Sequence, residues 1–456
     1  MIENDLLTKI NSGRAAKTFA DLYGEIEAPA EKQRYAKLME YMLKAGKEGF
    51  PETELCDTSG DLRVFSAPGR TELAGNHTDH NHGKVLAASI QLDNVAIAQK
   101  RNDNTVFFRS SGFPDVKVKL TDSGGAPDLQ PKPEEEGKTE ALIRGIAAEL
   151  TRLGRAVGGF SANAASTVLP GSGLSSSAAA EVLLCYIFES LYSETKLDSV
   201  EIARIGQFAE NAYFKKPCGL MDQIACATGG AVAIDFANAA RPEVKKINFD
   251  LSSAGYALCV VNTRGNHADL TPDYASIPEE MKKVAAFFGK STLGELSKET
   301  VLSRAAQTRE AIGDRALLRS LHFFDENTKV ETMTSILIEM EKADTDAAKQ
   351  RALKSYLDLV NVSGDSSWEL LQNVYSPRHP ETQGISVALA LTKEFLRKQN
   401  IYGACRVHGG GFAGTIQAYI PLDAMDTYKS SIEKVFGPGS VTTLKIRPVG
   451  PIELTF

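Results

Sequence analysis

Cysteine is sparse and unpatterned in this chain. Six occur in 456 residues, at Cys56, Cys185, Cys218, Cys226, Cys259 and Cys405, with no CxxC pair. That excludes a disulfide framework and a thiolate metal or redox centre, and it reads as a reduced protein whose cysteines act as small hydrophobes. Positive charge is not in excess either. A formal net charge of -7 argues against a general nucleic-acid binder, because counterion release needs a basic surface. No apolar run reaches the length that spans a bilayer, so no membrane partner is expected. The start, MIENDLLTKI, is acidic and lacks the charged-then-apolar order of a signal peptide, which points to a cytoplasmic protein. No GxxxxGK[ST] occurs, which removes a Walker-type nucleotide site.

What is present is an ordinary globular composition, 43% hydrophobic and 24% charged, over a length that implies two or three domains. Residues 1–60 read as helical, from apolar residues at three- and four-residue spacing in FADLYG and RYAKLMEYMLKAGKEGF. From Leu62 short alternating strands take over: LRVFSAP, KVLAASI, NVAIAQK, TVFFRSS and VKVKL. A Pro/Gly-rich loop from Thr121 and a helix near Glu140 follow. A long apolar-periodic helix begins at SSSAAAEVLL, with serines suited to capping it. Further on, YALCVVN opens a second set of strands and amphipathic helices. The divisions this suggests are 1–60, 61–245 and 246–456, with the last boundary soft.

Three stretches carry chemistry. APGRTELAGNHTDHNHGKVLAASI, from Ala67 to Ile90, packs a Pro-Gly turn, an arginine, two asparagines, three histidines and an aspartate between strand-like segments, as a functional loop on a rigid scaffold would. His77, His80 and His82 beside Asp79 fit no standard zinc spacing, and contact with a hydroxyl-rich ligand explains them as well. The loop Gly171, Ser172, Gly173, Leu174, Ser175, Ser176, Ser177 leads directly into a helix. It is either a phosphate cradle, using first-turn N–H groups and the helix dipole, or a small-residue turn with a serine cap. Gly409 to Gly414 matches GxGxxG, but the TIQAYI that follows alternates like a strand, which argues against a dinucleotide fold and for close backbone packing beside a ligand. The first stretch is read as holding a small polar substrate and the other two as shaping a nucleotide site. Asp222, in CGLMDQIA, is a carboxylate between helix and strand among apolar residues, either a helix-end partner or a catalytic group. Glu210, on the preceding helix, reads alone as part of a solvated face.

Taken in order, APGRTELAGNHTDHNHG, GSGLSSSAA, CGLMDQ and GACRVHGGGFAG resemble the galactokinases, within the GHMP small-molecule kinases that include homoserine and mevalonate kinases. The resemblance covers Arg63 to the C-terminus. It implies a two-lobed α+β fold, with an N-terminal lobe like ribosomal protein S5, a C-terminal ferredoxin-like lobe, and sugar and ATP in the cleft between them. By position, Asp222 matches the catalytic base, and Arg70 the residue that keeps it ionised and stabilises the transferring phosphoryl group. Ser177 and Glu210 match Mg2+ ligands, and Gly171 to Ser177 the ATP phosphate loop. Asn76, His77, Asp79 and Tyr274, the last in the DLTPDY loop, match sugar contacts. The partners implied are a sugar and ATP, with no obligatory protein partner.

The sugar end departs from the usual GRVNLIGEHTDYNGG. Asn76 stands where a glutamate faces the hydroxymethyl end of the sugar, and Glu72 stands where asparagine is usual. His80 replaces a tyrosine, and the arginine-rich segment after Tyr274 becomes YASIPEE. An amide can still bind a C6 hydroxyl, so galactose is expected. A C6-modified sugar such as galacturonate is the alternative, since Asn removes the repulsion a glutamate would exert on a carboxylate. A catalytically silent galactose sensor is the alternative of another class. The intact set Arg70, Ser175 to Ser177, Glu210 and Asp222 speaks against it.

Overall fold

The structure, a computed structural model, describes residues 8–10, 12–48, 61–168, 173–265 and 270–455. Gly171 and Ser172 of the glycine-serine loop, and Cys56, lie outside the described residues.

Two sheets organise the chain. The larger contains β1 (Arg63–Ala74), β2 (Lys84–Lys100), β3 (Thr105–Ser110), β4 (Val116–Lys119), β5 (Phe160–Ser166), β6 (Ala231–Asp235), β7 (Glu243–Ile247) and β12 (Ile452–Glu453). The smaller runs β11-β8-β10-β9 and is antiparallel, from β8 (Tyr256–Asn262), β9 (Ala404–His408), β10 (Thr415–Pro421) and β11 (Val441–Leu444). The last strand thus returns to pair with β1, and β7 straddles the boundary expected at residue 246.

The spine of the larger sheet is β2. Its sequence looks like two strands broken at Gln91-Leu92-Asp93, yet it is one strand of 17 residues. The polar residues that suggest a break have partners elsewhere. Gln91 exchanges hydrogen bonds with Thr443 O (2.9 Å) and Lys445 N (2.7 Å), and Asp93 is bound by Arg447 (3.1 Å), Tyr23 (2.6 Å) and Arg34. Its first half pairs with β6 and its second half with β5, so one strand serves two neighbours in turn. Period-two alternation sends Leu86, Ala88, Ile90, Ala96 and Ala98 to the main core under the helix Ser176–Tyr192, while Val95 and Ile97 face the N-terminal helices.

Those helices, Gly13–Tyr23 and Ala28–Glu48, do cover the sheet, with Phe19, Tyr23, Tyr35, Met39 and Met42 packed on Val95, Ile97 and Phe107. The same alternation splits the smaller sheet. Cys259 and Val261 pack on the helix Gly384–Lys398, while Leu258 and Val260 join the main core with Tyr356. Cys185, Cys226, Cys259 and Cys405 are buried and unbridged, as expected of cysteines serving as hydrophobes.

Candidate active site

Arg70 was expected on a loop, but it sits inside β1. Pro68-Gly69 makes a register shift in the β1–β2 pairing instead of a turn. A Cβ at Gly69 would lie 2.9 Å from Leu174 O, so only glycine admits this approach, and Arg70 N bonds Leu174 O (3.1 Å). The bulge aims the guanidinium at Asp222, on the first turn of a short helix, Met221–Thr228, that intervenes before β6. Arg70 Nε and Nη2 donate to Asp222 Oδ1 and Oδ2, each at 2.8 Å. Ser175 Oγ donates to the same carboxylate, and Arg70 Nη1 to Gly173 O. Burial pushes the Asp222 carboxyl up, but the Arg70 charge and the hydrogen bonds from Arg70 and Ser175 outweigh it and hold Asp222 below the usual carboxylate range. About a third of the side chain, 32%, still reaches solvent, whereas Arg70 is almost wholly enclosed.

Ser175, one of the serines suited to capping the helix that follows, does not cap it. It is in the left-handed region (φ 58°) and makes no capping bond, because its hydroxyl is spent on Asp222. The first-turn N–H groups of Ser176 and Ser177 therefore stay available to an anion. Gly173, also at positive φ, packs where a Cβ would meet Thr415 Oγ1 and His408 Nδ1, so the loop abuts the β9–β10 turn of the other lobe.

Glu210 is not part of a solvated face. It lies in a π-helical turn, Ala209–Phe214, that continues the helix Ser199–Phe208, and it is 2% exposed. The π-turn swings it inward. Lys216 Nζ holds Oε1 (2.8 Å), and Gln223 Nε2 holds Oε2 (3.1 Å) and also Glu181 Oε2 (2.9 Å). Glu181 is one helical turn beyond Ser177, fully buried, and its Oε1 has no partner among the described residues. Ser177, Glu210 and Glu181 are all hard oxygen donors, and a magnesium ion that shares its shell with phosphates needs only one or two protein carboxylates. The residues therefore fit the cation that the resemblance implies. No group of three or more His, Cys, Asp or Glu among the described residues is arranged to hold a metal by itself, and the histidines of the sugar segment form no metal cluster.

At the sugar end, Asn76 is buried and its amide is fully engaged. Nδ2 donates to Glu72 (3.1 and 3.2 Å) and to Gly409 O (2.7 Å), while Oδ1 accepts from Asn373 Nδ2 (2.8 Å). Glu72 is itself paired with buried Arg406 from β9. His77 Nε2 donates to Gly410 O (2.9 Å), which leaves Nδ1 with its lone pair. Burial lowers this imidazole to about 4, so it is neutral at physiological pH. Asp79 packs so closely on Gly219 that a Cβ there would collide with its carboxylate. Tyr274 is on the first turn of the helix Thr271–Phe287, not in a loop. It donates to Gly411 O (3.0 Å), and its ring meets Phe412 edge-on at 5.4 Å.

The carbonyls of Gly409, Gly410 and Gly411 thus all accept from sugar-end side chains, so the C-terminal glycine loop, read from sequence as part of the nucleotide site, is tied to the sugar segment as well. As expected, a strand and not a helix follows it. The YASIPEE change inverts the local charge. Glu280 of this helix receives Arg319 (2.9 Å) and Arg315 (2.5 Å) from the helix Asp314–Lys342, and Ser276 Oγ receives Arg319 (2.9 Å).

Sequence reasoning missed Arg406, Asn373, His322 and Gln223. Arg406 left a signal, a lone cation inside the strand pattern GACRVH, and Gln223 adjoins Asp222. His322, which donates to Asn76 O (3.0 Å), comes from the helix Asp314–Lys342 and Asn373 from the segment after the π-turn Ser367–Leu371, and neither lies in a motif.

Comparison with known proteins follows this geometry. The family described as GHMP kinases N terminal domain matches residues 141–230, and the galactokinase galactose-binding signature matches residues 53–100. A galactokinase of Streptomyces coelicolor is 30% identical over 388 residues, covering 84% of this chain and 91% of its own. One from Clostridium tetani is 28% identical, covering 84% and 92%. Among solved structures, Lactococcus lactis galactokinase complexed with galactose superposes with a TM-score of 0.72 at 22% identity, over 92% of this chain and 100% of that one. Methanococcus jannaschii mevalonate kinase gives 0.57 at 12% identity, over 85% and 99%. The two-lobed α+β GHMP kinase fold expected from the motifs is the fold observed.

Proposed function

The chain belongs to the galactokinase family and is a sugar kinase, and from that premise we propose that it transfers the γ-phosphoryl group of ATP to the anomeric oxygen of D-galactose. The observation that carries this reading is the two-pronged Arg70–Asp222 pair beside an uncapped helix N-terminus. The sugar O1–H gives its proton to Asp222 as O1 bonds to the γ-phosphorus. The bond from that phosphorus to the β–γ bridging oxygen breaks, and ADP leaves. Such a reaction asks for positioning and for positive charge around the transferring group, not for a strong nucleophile.

Arg70 keeps Asp222 ionised and so able to receive a proton, and it puts a buried cation next to the reacting centre. First-turn N–H groups of Ser176 and Ser177, with the helix dipole, suit the phosphates. Magnesium, when bound, neutralises charge on the triphosphate, and Ser177 and Glu210 are the residues that would hold it.

His77 Nδ1 is a free acceptor for a sugar hydroxyl, and Asp79 is a second. Asn76 has both amide hydrogens committed, and the Glu72 carboxylate behind it is neutralised by Arg406, so this corner offers the remaining lone pair of the Asn76 carbonyl, an acceptor and no donor. That suits a hydroxymethyl donor and disfavours the carboxylate of galacturonate. The complete catalytic set supports an enzyme over a silent sensor. The test is phosphorus NMR of a reaction with Mg-ATP and galactose. Galactose 1-phosphate is the expected product, and its absence where galacturonate is phosphorylated would reverse the choice of sugar.

A further inference from the structure

We infer that Lys216 is a built-in counter-ion on the Oε1 oxygen of Glu210 that is displaced when the divalent cation enters. This rests on the reading of Glu210 as a metal ligand.

The geometry behind it is asymmetric. Glu210 cannot move to meet a cation: it is 2% exposed, sits in a π-turn, and has Oε2 fixed by Gln223 (3.1 Å). The amide of Gln223 is shared with Glu181 (2.9 Å), whose second oxygen has no partner among the described residues. Oε1 of Glu210 is held by Lys216, at 2.8 Å. The lysine side chain is 59% exposed, so its head can leave for water while the carboxylate stays.

Charge balance points the same way. Glu210 and Asp222 are the two charges of this cluster, and the Arg70 guanidinium is spent on Asp222 and Gly173 O. Among the described residues Lys216 is the remaining cation here, and without it Glu210 would be buried with no positive charge beside it. Lys216 is also placed by its own backbone, whose N–H bonds the Glu210 carbonyl (3.1 Å) beyond Lys215 in the left-handed region (φ 65°). A tethered ammonium and a hydrated divalent ion compete for one lone-pair site, so metal loading is weaker than the carboxylates alone would make it. Removing the competitor tightens metal binding and leaves the metal-free protein less stable.

The experiment is direct binding of Mn2+ to the nucleotide-free protein, read from the paramagnetic signal of the free ion, for wild type, Lys216→Met, Lys216→Gln and Glu210→Gln. Melting temperatures are taken in chelator and in Mn2+. Lys216→Met is expected to bind Mn2+ at least about tenfold more tightly than wild type and to gain more melting temperature from the ion. Lys216→Gln, which keeps a polar head, is expected to shift the same way and serves if the methionine variant does not fold. Unchanged or weaker Mn2+ binding in the lysine variants, with Glu210→Gln losing the ion, overturns the counter-ion role alone. Undiminished binding in Glu210→Gln overturns the assignment of Glu210 as ligand, and the inference with it.

Discussion

Arg70 grips Asp222 through two parallel hydrogen bonds of 2.8 Å, from a strand bulge to the first turn of a helix 152 residues away. The pair holds the carboxylate below its ordinary range, so Asp222 stays ionised across the physiological span, as the proposed base must. Lysine at position 70 keeps a charge but loses the fork. One charge-assisted hydrogen bond is worth about 1.5–3 kcal/mol, so Arg70→Lys is expected to lower kcat roughly tenfold to a hundredfold. The acid limb of kcat/KM is expected to move to higher pH. A pH profile of both proteins checks this, and an unmoved limb would mean that Arg70 does not set the state of Asp222.

Asn76 and Glu72 are a matched pair. Asn76→Glu would set a second carboxylate against Glu72, a repulsion of about 4 kcal/mol for charges roughly 4 Å apart in a partly screened site. The single variant is therefore expected to lose most activity and some stability. The exchange Glu72→Asn with Asn76→Glu is expected to recover much of both, measured as kcat/KM and melting temperature in a double-mutant cycle.

Asp93 ties three distant parts of the chain together. It is wholly buried and receives Tyr23 and Arg34 from the N-terminal helices and Arg447 from the C-terminal segment. Burial raises its carboxyl, but the two arginines and the hydroxyl donors outweigh that and hold it below the ordinary value. The stability it contributes is thus present above the unfolded-state value near 4 and is lost as pH falls through the lower native one. Asp93→Asn strands two arginines and is expected to cost about 3–5 kcal/mol in urea unfolding. Early proteolytic release of the N-terminal helices is the accompanying sign.

Glu280 is the counter-charge for Arg319, a guanidinium only 1% exposed. Glu280→Ala is expected to destabilise by about 3–5 kcal/mol, whereas Glu280→Leu with Arg319→Met replaces the pair by apolar contact and recovers most of it. Thermal melts of the three variants decide between a structural pair and an incidental one.

The sequence was most legible where local pattern and local chemistry agree. Alternation marked β8, β9 and β10, and the strand after Gly414 ruled out a dinucleotide loop. It misled where a polar residue is satisfied from far away. Gln91 and Asp93 look like a strand break until their partners at Thr443, Lys445, Tyr23 and Arg447 are in view. Pro68-Gly69 looks like a turn, but its purpose is the approach to Leu174. Glu210 looks solvated because a π-turn leaves no mark in helical spacing. Arg70 and Asp222 are both singled out in sequence, yet their bidentate geometry depends on a bulge and a helix start that no single stretch encodes.

The most direct measurement is ADP release by the purified protein with Mg-ATP across galactose, N-acetylgalactosamine, galacturonate and glucose, with Asp222→Asn alongside. Galactose is expected to turn over fastest, and Asp222→Asn to lose about a hundredfold to ten-thousandfold in kcat while still binding the sugar. Turnover of another sugar in place of galactose, or an Asp222→Asn protein as active as wild type, would contradict the reading of this site.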